Sequence, residues 1–420
     1  MHITITSLGS RGDVQPCIAL GIGLQLVGHT VRIATYRYFA EFVQQYGLEF
    51  APVEGEPRQA METESGQQWM KSGTNFFKFV RQMRSVVTYE SMMKAFDDTL
   101  EACRGTDAIL YSAFGTAGAH VAEYMHVPSM YVLLQPFSRS REVPTIVAPA
   151  LPLGGLYNWG THILGEQLFW QMGRVPVNRW RRKSLNLTPV PINGPFDALY
   201  QRHTPFVYGY SRFVVPPASD FPAWHHITGY WFLDDEGEWS PPPDLVRFIA
   251  DGSPPISIGF GSMSGNITRR LASLAIEAVA LTRQRAILLG GWGMATDLNL
   301  PDSIYALEAA PHRWLFPQMA AVVHHGGAGT TAAGLRAGRP SVLVPFFGDQ
   351  PYWGSRVHAL GVGPKPVLRS KLTAKRLAEA ITQAVTDQNM QSQAAALGEK
   401  IRAEDGVAKA VEIVHNYLNK

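Results

Sequence analysis

VVHHGGAGTTAAGLRAGRPSVLVPFFGDQPYW, residues Val322 to Trp353, is the stretch from which the rest of the chain can be read. An apolar run, Ala320 to His325, is followed by small residues and then by a helical segment opening at Thr330. A second apolar run, Ser341 to Pro345, ends near Asp349 and Gln350. The pattern is strand, glycine turn, helix, strand, loop, the unit of a parallel sheet. Backbone N–H groups at a helix start lack intrahelical acceptors and favour an anion such as a diphosphate. The glycines Gly327 and Gly329 let the backbone approach such a ligand closely. Asp349 and Gln350, at the end of the next strand, suit hydroxyl groups attached to that anion. The combination points to a nucleotide-sugar site.

Several residues of this stretch carry two readings. His325 is either structural or a hydrogen-bond donor to a phosphate oxygen, and its place directly before GGAGT favours the second. His324 should point to the other face of the strand. Thr330 caps the helix, contacts phosphate, or does both.

The units on either side repeat the pattern. Ile256 to Phe260 is strand-like and ends in Gly261-Ser262, Thr268 to Arg283 reads as a helix, and Ala286 to Leu289 and Ser303 to Leu307 as strands. Helical segments follow from Thr373 and from Met390. The first half begins with a βαβ unit: strand His2 to Leu8, loop Gly9-Ser10-Arg11-Gly12-Asp13, helix Pro16 to Leu26, strand Thr30 to Thr35. That loop lacks the G-x-G-x-x-G spacing of dinucleotide binding. It offers one carboxylate, Asp13, which either caps the helix or faces a ligand as a base. Gly66 to Cys103 is helical in pattern, and Asp107 to Ser112, Gly115 to His126 and Ser129 to Leu134 continue the βα alternation. Between Pro136 and Lys183 the regularity lapses into Gly, Pro and aromatics, with seven basic residues against Glu142 and Glu166. Such a region is either a solvated face or a contact for an anionic membrane surface. The expected organisation is a first Rossmann-like domain over residues 1–215, a connector over 216–243 and a second domain over 244–395. The helix 396–420 is expected to return to the first domain.

Composition narrows the class. In 420 residues, 46% are hydrophobic and 17% charged, as in a folded two-domain protein. A net charge of +3 argues against a nucleic-acid binder. Two cysteines, Cys17 and Cys103, make neither a disulfide framework nor a zinc site. The N-terminus lacks the features of a signal peptide, and no window reaches the ~18 uninterrupted apolar residues of a membrane span. A cytoplasmic location is the expectation, with peripheral membrane contact through 139–183 as the alternative to a solvated face.

The segments SRGDVQP (from Ser10), VNRWRRKSL (Val177), TGYWFLD (Thr228), GFGS (Gly259), HHGGAGTT (His324) and PFFGDQ (Pro345) together resemble the UDP-glycosyltransferase superfamily, within it the sterol 3-β-glucosyltransferase group. The resemblance implies an α/β chain of GT-B fold, two Rossmann-like domains facing across a cleft, and inverting transfer of glucose from UDP-glucose to an acceptor hydroxyl. It implies Asp13 as catalytic base and His325, Gly327, Gly329 and Thr330 as the diphosphate site. Ser262 falls near the leaving phosphate, and Asp349 with Gln350 on the sugar hydroxyls. Ala310 and His312 stand in the place of the W-x-P-Q segment that stacks on uracil in plant enzymes, and Ala333 in the place of their ribose-gripping glutamate. Both departures weaken the preference for UDP over dTDP. The acceptor, an apolar polycycle such as a sterol or triterpenoid, is expected against Phe137, Trp159, Trp170 and Met172. No metal or other cofactor is implied. A nucleotide-sugar epimerase of similar fold and a non-catalytic nucleotide-sugar or lipid binder are the rival readings.

Overall fold

The computed structural model describes residues 1–55, 88–234, 239–260, 266–290 and 300–419, with residues 266–269 by their backbone alone. It divides into two compact units, Met1–Leu233 with Asp405–Lys420, and Asp234–Glu404. Among the described residues no helix is long and apolar enough to cross a membrane.

The first unit is a seven-stranded sheet. In chain order it runs β1 (His2–Thr6), α1 (Arg11–Leu26), β2 (Thr30–Tyr36), α2 (Ala40–Gln44), β3 (Glu49–Val53), α3 (Tyr89–Ala102), β4 (Ala108–Tyr111), α4 (Ala117–Met125) and β5 (Ser129–Leu133). The long α5 (Gly154–Lys183), α6 (Phe196–Gln201), β6 (Phe206–Tyr208) and β7 (His225–Ile227) complete it. All pairings are parallel, and the strand order is β3-β2-β1-β4-β5-β6-β7. The strands of a parallel sheet are covered on both faces, so they read as unbroken apolar runs such as Ala108–Tyr111. Connections from β1 lead one way and the connection to β4 returns to β1's other side. That reversal opens a crevice beyond the carboxyl ends of β1 and β4.

The second unit contains α7 (Pro243–Ala250), β8 (Ile256–Gly259), α8 (Asn266–Thr282), β9 (Ala286–Leu289), β10 (Ile304–Leu307) and α9 (His312–Leu315). Then come β11 (Val322–His324), α10 (Ala328–Arg336), β12 (Ser341–Leu343), α11 (Gln350–Ala359), α12 (Ala374–Thr386) and α13 (Gln388–Arg402). Its sheet is again parallel, ordered β10-β9-β8-β11-β12, with the reversal between β8 and β11. The last helix, α14 (Gly406–Leu418), belongs to the first unit.

The unit boundaries differ from the expected ones for physical reasons. The first unit continues past residue 215 to Leu233 because Trp231 and Leu233 are buried in the core of its sheet. Trp231 Nε1 donates to Thr228 Oγ1, which donates to Tyr208 O, tying this segment to β6. At the other end, α13 stays with the second unit. Gly398 lies against the Gly338 backbone, and Arg402 donates to Arg336 O. It is α14 that packs on α1, burying Ala410, Val411 and Val414. The approach is close at Gly23, where a Cβ would come 2.6 Å from Val407 and 2.8 Å from Val411. Gly23→Val is therefore expected to destabilise the first unit by about 1–3 kcal/mol, readable as a lowered urea midpoint. An unchanged midpoint would remove this contact as a stabilising one.

The region where regularity lapses in the sequence contains a 30-residue helix, α5. Its residues Asn158, His162, Trp170, Trp180 and Arg181 are buried although several are polar, so no apolar period marks it. Trp180 is fully buried and its Nε1 donates to Asp97 Oδ1. Two of the seven basic residues are internal. Arg139 pairs with Glu166 and Asp197, and Arg181 forms a two-bond pair with Glu123 while its Nη1 reaches His120 Nδ1. Most of the helix expected over Gly66 to Cys103 lies outside the described residues, and α3 is its described part.

Candidate active site

Gly326 has φ +92°, a conformation that glycine adopts without strain, and a Cβ there would come 3.0 Å from Leu343 and 3.2 Å from Gln350 O. The chain thus turns sharply from β11 into α10. The first i→i−4 bond of α10 is Thr331 N to Gly327 O, so the N–H groups of Ala328, Gly329 and Thr330 precede the helical ladder. No acidic residue lies in that first turn to compete for an anion.

The two histidines divide as their alternation on the strand requires. His324 is buried, and its Nδ1 accepts from Gly326 N–H at 3.1 Å, so it holds the turn. His325 lies against the turn from the other side: a Cβ on Gly327 would come 2.6 Å from its Nε2. Its Nδ1 is buried and has no hydrogen-bond partner in the structure. Burial lowers its pKa to about 4, so the ring is neutral at pH 7 and carries one N–H donor.

The remaining second-unit residues are more committed than their sequence positions suggest. Gln350 is 5% exposed and its Oε1 accepts from Phe346 N–H and Phe347 N–H. It clamps the loop after β12, which leaves only its Nε2 amide for a sugar hydroxyl. Asp349 Oδ2 accepts from Trp353 Nε1 at 2.8 Å and precedes the first turn of α11. His312 opens α9 with its ring stacked on Phe316 at 4.3 Å, and Ala310 packs on the apolar cluster beneath. Ser262 lies outside the described residues.

In the first unit, Asp13 sits in the opening turn of α1 rather than in the loop before it. Its Oδ2 accepts from Ser10 N–H at 2.8 Å and Ser10 Oγ–H at 2.9 Å, a capping-box geometry. The helix-cap reading therefore holds. Asp13 also lines a small cavity at the β1–β4 reversal with Ser112, Gln135, Phe114, Leu134 and Trp231. Cys17 contributes to the same wall, its thiol pushed by burial up to about 12 and so neutral. None of Phe137, Trp159, Trp170 or Met172 lines this cavity. Trp170 is a core residue, 5% exposed, whose Nε1 donates to Pro191 O. Trp159 is engaged by the guanidinium groups of Arg139 and Arg141, at 5.8 and 5.4 Å from its ring. Phe137 remains exposed and Met172 is half-buried. The cavity residues Ser112, Gln135 and Trp231 were not anticipated. Ser112 had a signal, since it directly follows a strand of a parallel sheet, where ligands bind.

Several buried histidines set an acid limit on stability. Burial lowers His120 to about 4, with Arg181 adding to the effect, lowers His225 to about 3, and lowers His325 to about 4. Below the unfolded value of ~6.5 the unfolded chain binds more protons than the native one, so stability falls as pH drops from there toward 4. The Glu123 carboxylate, held low by its hydrogen bonds to Arg181, adds a further loss as the pH falls through its own lower range. Melting temperatures measured from pH 8 to 4.5 should be flat above 7 and fall below 6.5. A flat profile down to 4.5 would mean these rings are charged or solvated in the native state.

Residues 3–144 match the glycosyltransferase family 28 N-terminal domain, and residues 292–417 match the C-terminal domain of erythromycin biosynthesis protein CIII-like proteins. The structure is similar to the calicheamicin glycosyltransferase CalG4, with a TM-score of 0.72 at 20% identity over 100% of this chain and 98% of that one. It is also similar to the glycosyltransferase VinC in complex with dTDP, with a TM-score of 0.68 at 18% identity and full coverage of both chains. The chain has the GT-B fold of these glycosyltransferases. Its sequence is similar to sterol 3-β-glucosyltransferases. It is 38% identical to that of Emericella nidulans over 100% of this chain and 30% of the relative, and 38% identical to that of Glomerella lagenarium over 99% and 28%. The chain thus spans about 30% of the length of these curated relatives.

Proposed function

We propose that the chain transfers glucose from UDP-glucose to a hydroxyl of an apolar acceptor, a sterol or a related polycycle, with inversion at the anomeric carbon. The acceptor's O–H bond breaks and its proton passes to the Asp13 carboxylate. The oxygen forms its bond to the anomeric carbon as the carbon–diphosphate bond breaks, and that electron pair leaves with UDP. Positive charge on the sugar ring peaks in an oxocarbenium-like transition state. Negative charge on the leaving diphosphate falls to His325 Nε2–H and the N–H groups at the start of α10, fixed before the reaction begins. The observation that carries this reading is that each sheet puts its polar groups at its reversal point. Asp13 stands there in one unit, and the glycine turn with His325 in the other. The similarity to sterol 3-β-glucosyltransferases supports glucose and an apolar alcohol as the two substrates.

Incubation with UDP-glucose or dTDP-glucose and a panel of sterols, triterpenoids, flavonoids and macrolides, with mass detection, tests the reading. An acceptor heavier by one hexose supports transfer. An isomerised donor in the absence of acceptor identifies an epimerase, and an unchanged donor and acceptor identify a binding protein.

A further inference from the structure

The cavity beside Asp13 contains a hydroxyl that the fold does not use. Ser112 is 9% exposed, and its Oγ is buried without a hydrogen-bond partner in the structure. A buried hydroxyl left unpaired costs about 1–3 kcal/mol, so such groups are retained where a ligand or an ordered water completes them. The backbone around Ser112 is tightly held. Ser112 N–H donates to Thr6 O at 3.0 Å, Gly115 N–H donates to Ser112 O, and Thr6 Oγ donates to Gly115 O at 2.8 Å. A Cβ on Gly115 would collide with Thr6 O, so the loop after β4 is pressed directly onto the end of β1. The backbone that carries the hydroxyl is therefore fixed, in the cavity wall that it shares with Asp13.

The cavity's other groups define what fits there. Trp231 presents an apolar ring, since its N–H is already bound to Thr228. Phe114 and Leu134 are apolar, and Phe114 is 57% exposed. Apolar walls with Asp13, Ser112 and Gln135 as the polar groups suit the hydroxyl end of an otherwise hydrophobic molecule.

We propose that Ser112 is a positioning residue for the acceptor alcohol: its O–H donates to the acceptor oxygen and so turns that oxygen's own proton toward Asp13. This rests on the glucosyltransferase reading above and deepens it by assigning the place of the reacting hydroxyl. Only an alcohol, or a group that accepts at the same oxygen, completes the arrangement. An acceptor presenting a thioether or an alkyl carbon there leaves Ser112 unpaired.

Ser112→Ala removes the hydroxyl with little change in volume. With UDP-glucose and cholesterol, it is expected to lower kcat/KM for the acceptor about tenfold. UDP affinity by titration calorimetry should be unchanged. Melting temperature should be equal to or above that of the unmodified protein, because no internal hydrogen bond is lost. A purely structural serine predicts the reverse, a lower melting temperature. An acceptor kcat/KM within twofold of the unmodified protein overturns the proposal, as does a loss of stability accompanied by weaker UDP binding. Failure of the unmodified protein to glucosylate cholesterol or any alcohol of the panel is a different result. It overturns the glucosyltransferase reading itself, and the role of Ser112 with it.

Discussion

Asp13→Asn is expected to lower kcat by about 10²–10⁴-fold while leaving UDP affinity and melting temperature close to those of the unmodified protein. The asparagine side-chain oxygen can still accept from Ser10 N–H and Ser10 Oγ–H, so the start of α1 stays capped. What it cannot do is take a proton from an alcohol. The substitution therefore separates the capping contact seen in the structure from the proposed role as base. Asp13→Ala removes both, and should lose stability by about 1 kcal/mol as well as activity. Near-normal turnover by the asparagine variant, with donor binding intact, would leave Asp13 as a cap alone. A carboxylate is a weak base toward an alcohol. Much of the rate must then come from alignment, which is the role proposed for the Ser112 hydroxyl.

His325→Ala should lower kcat/KM for the donor by about 10²–10³-fold, the usual loss when a preorganised donor to a leaving oxyanion is removed. The structure predicts little loss of stability from lost hydrogen bonds, because His325 Nδ1 has no partner. The neighbouring His324 gives the control. Its Nδ1 accepts from Gly326 N–H, so His324→Ala strands a buried backbone donor and should destabilise the second unit by about 1–3 kcal/mol. Activity lost in the first variant with stability retained, and stability lost in the second, would establish the division. Equal donor kinetics in His325→Ala and the unmodified protein would remove His325 from the diphosphate site. The histidines are adjacent in sequence, yet strand alternation sends one into the core and the other to the turn.

Much of this arrangement was legible in the chain. The βα alternation, the glycine turn after β11 and the opposite faces of His324 and His325 follow from period and residue type alone. So does the suspicion that Asp13 is a helix cap. Other features had no local signal. The α5 helix buries Asn158, His162 and Arg181 through specific hydrogen bonds and an ion pair, which no hydrophobic period records. Trp170 reads as an acceptor-facing aromatic, but its N–H is bound to Pro191 O in the interior. Gln350 reads as a sugar ligand, but its carbonyl oxygen closes the loop that carries it.

By itself the sequence determined that there are two parallel α/β units and where each turns from strand to helix, because those features depend on residues within a few positions of one another. Only the tertiary structure decided which side chains share a space. Asp13 and Ser112 are a hundred residues apart and meet because β1 and β4, distant in the chain, are neighbours at the reversal of the sheet. Strand order is set by long-range packing, so the cavity it creates cannot be read from any one segment.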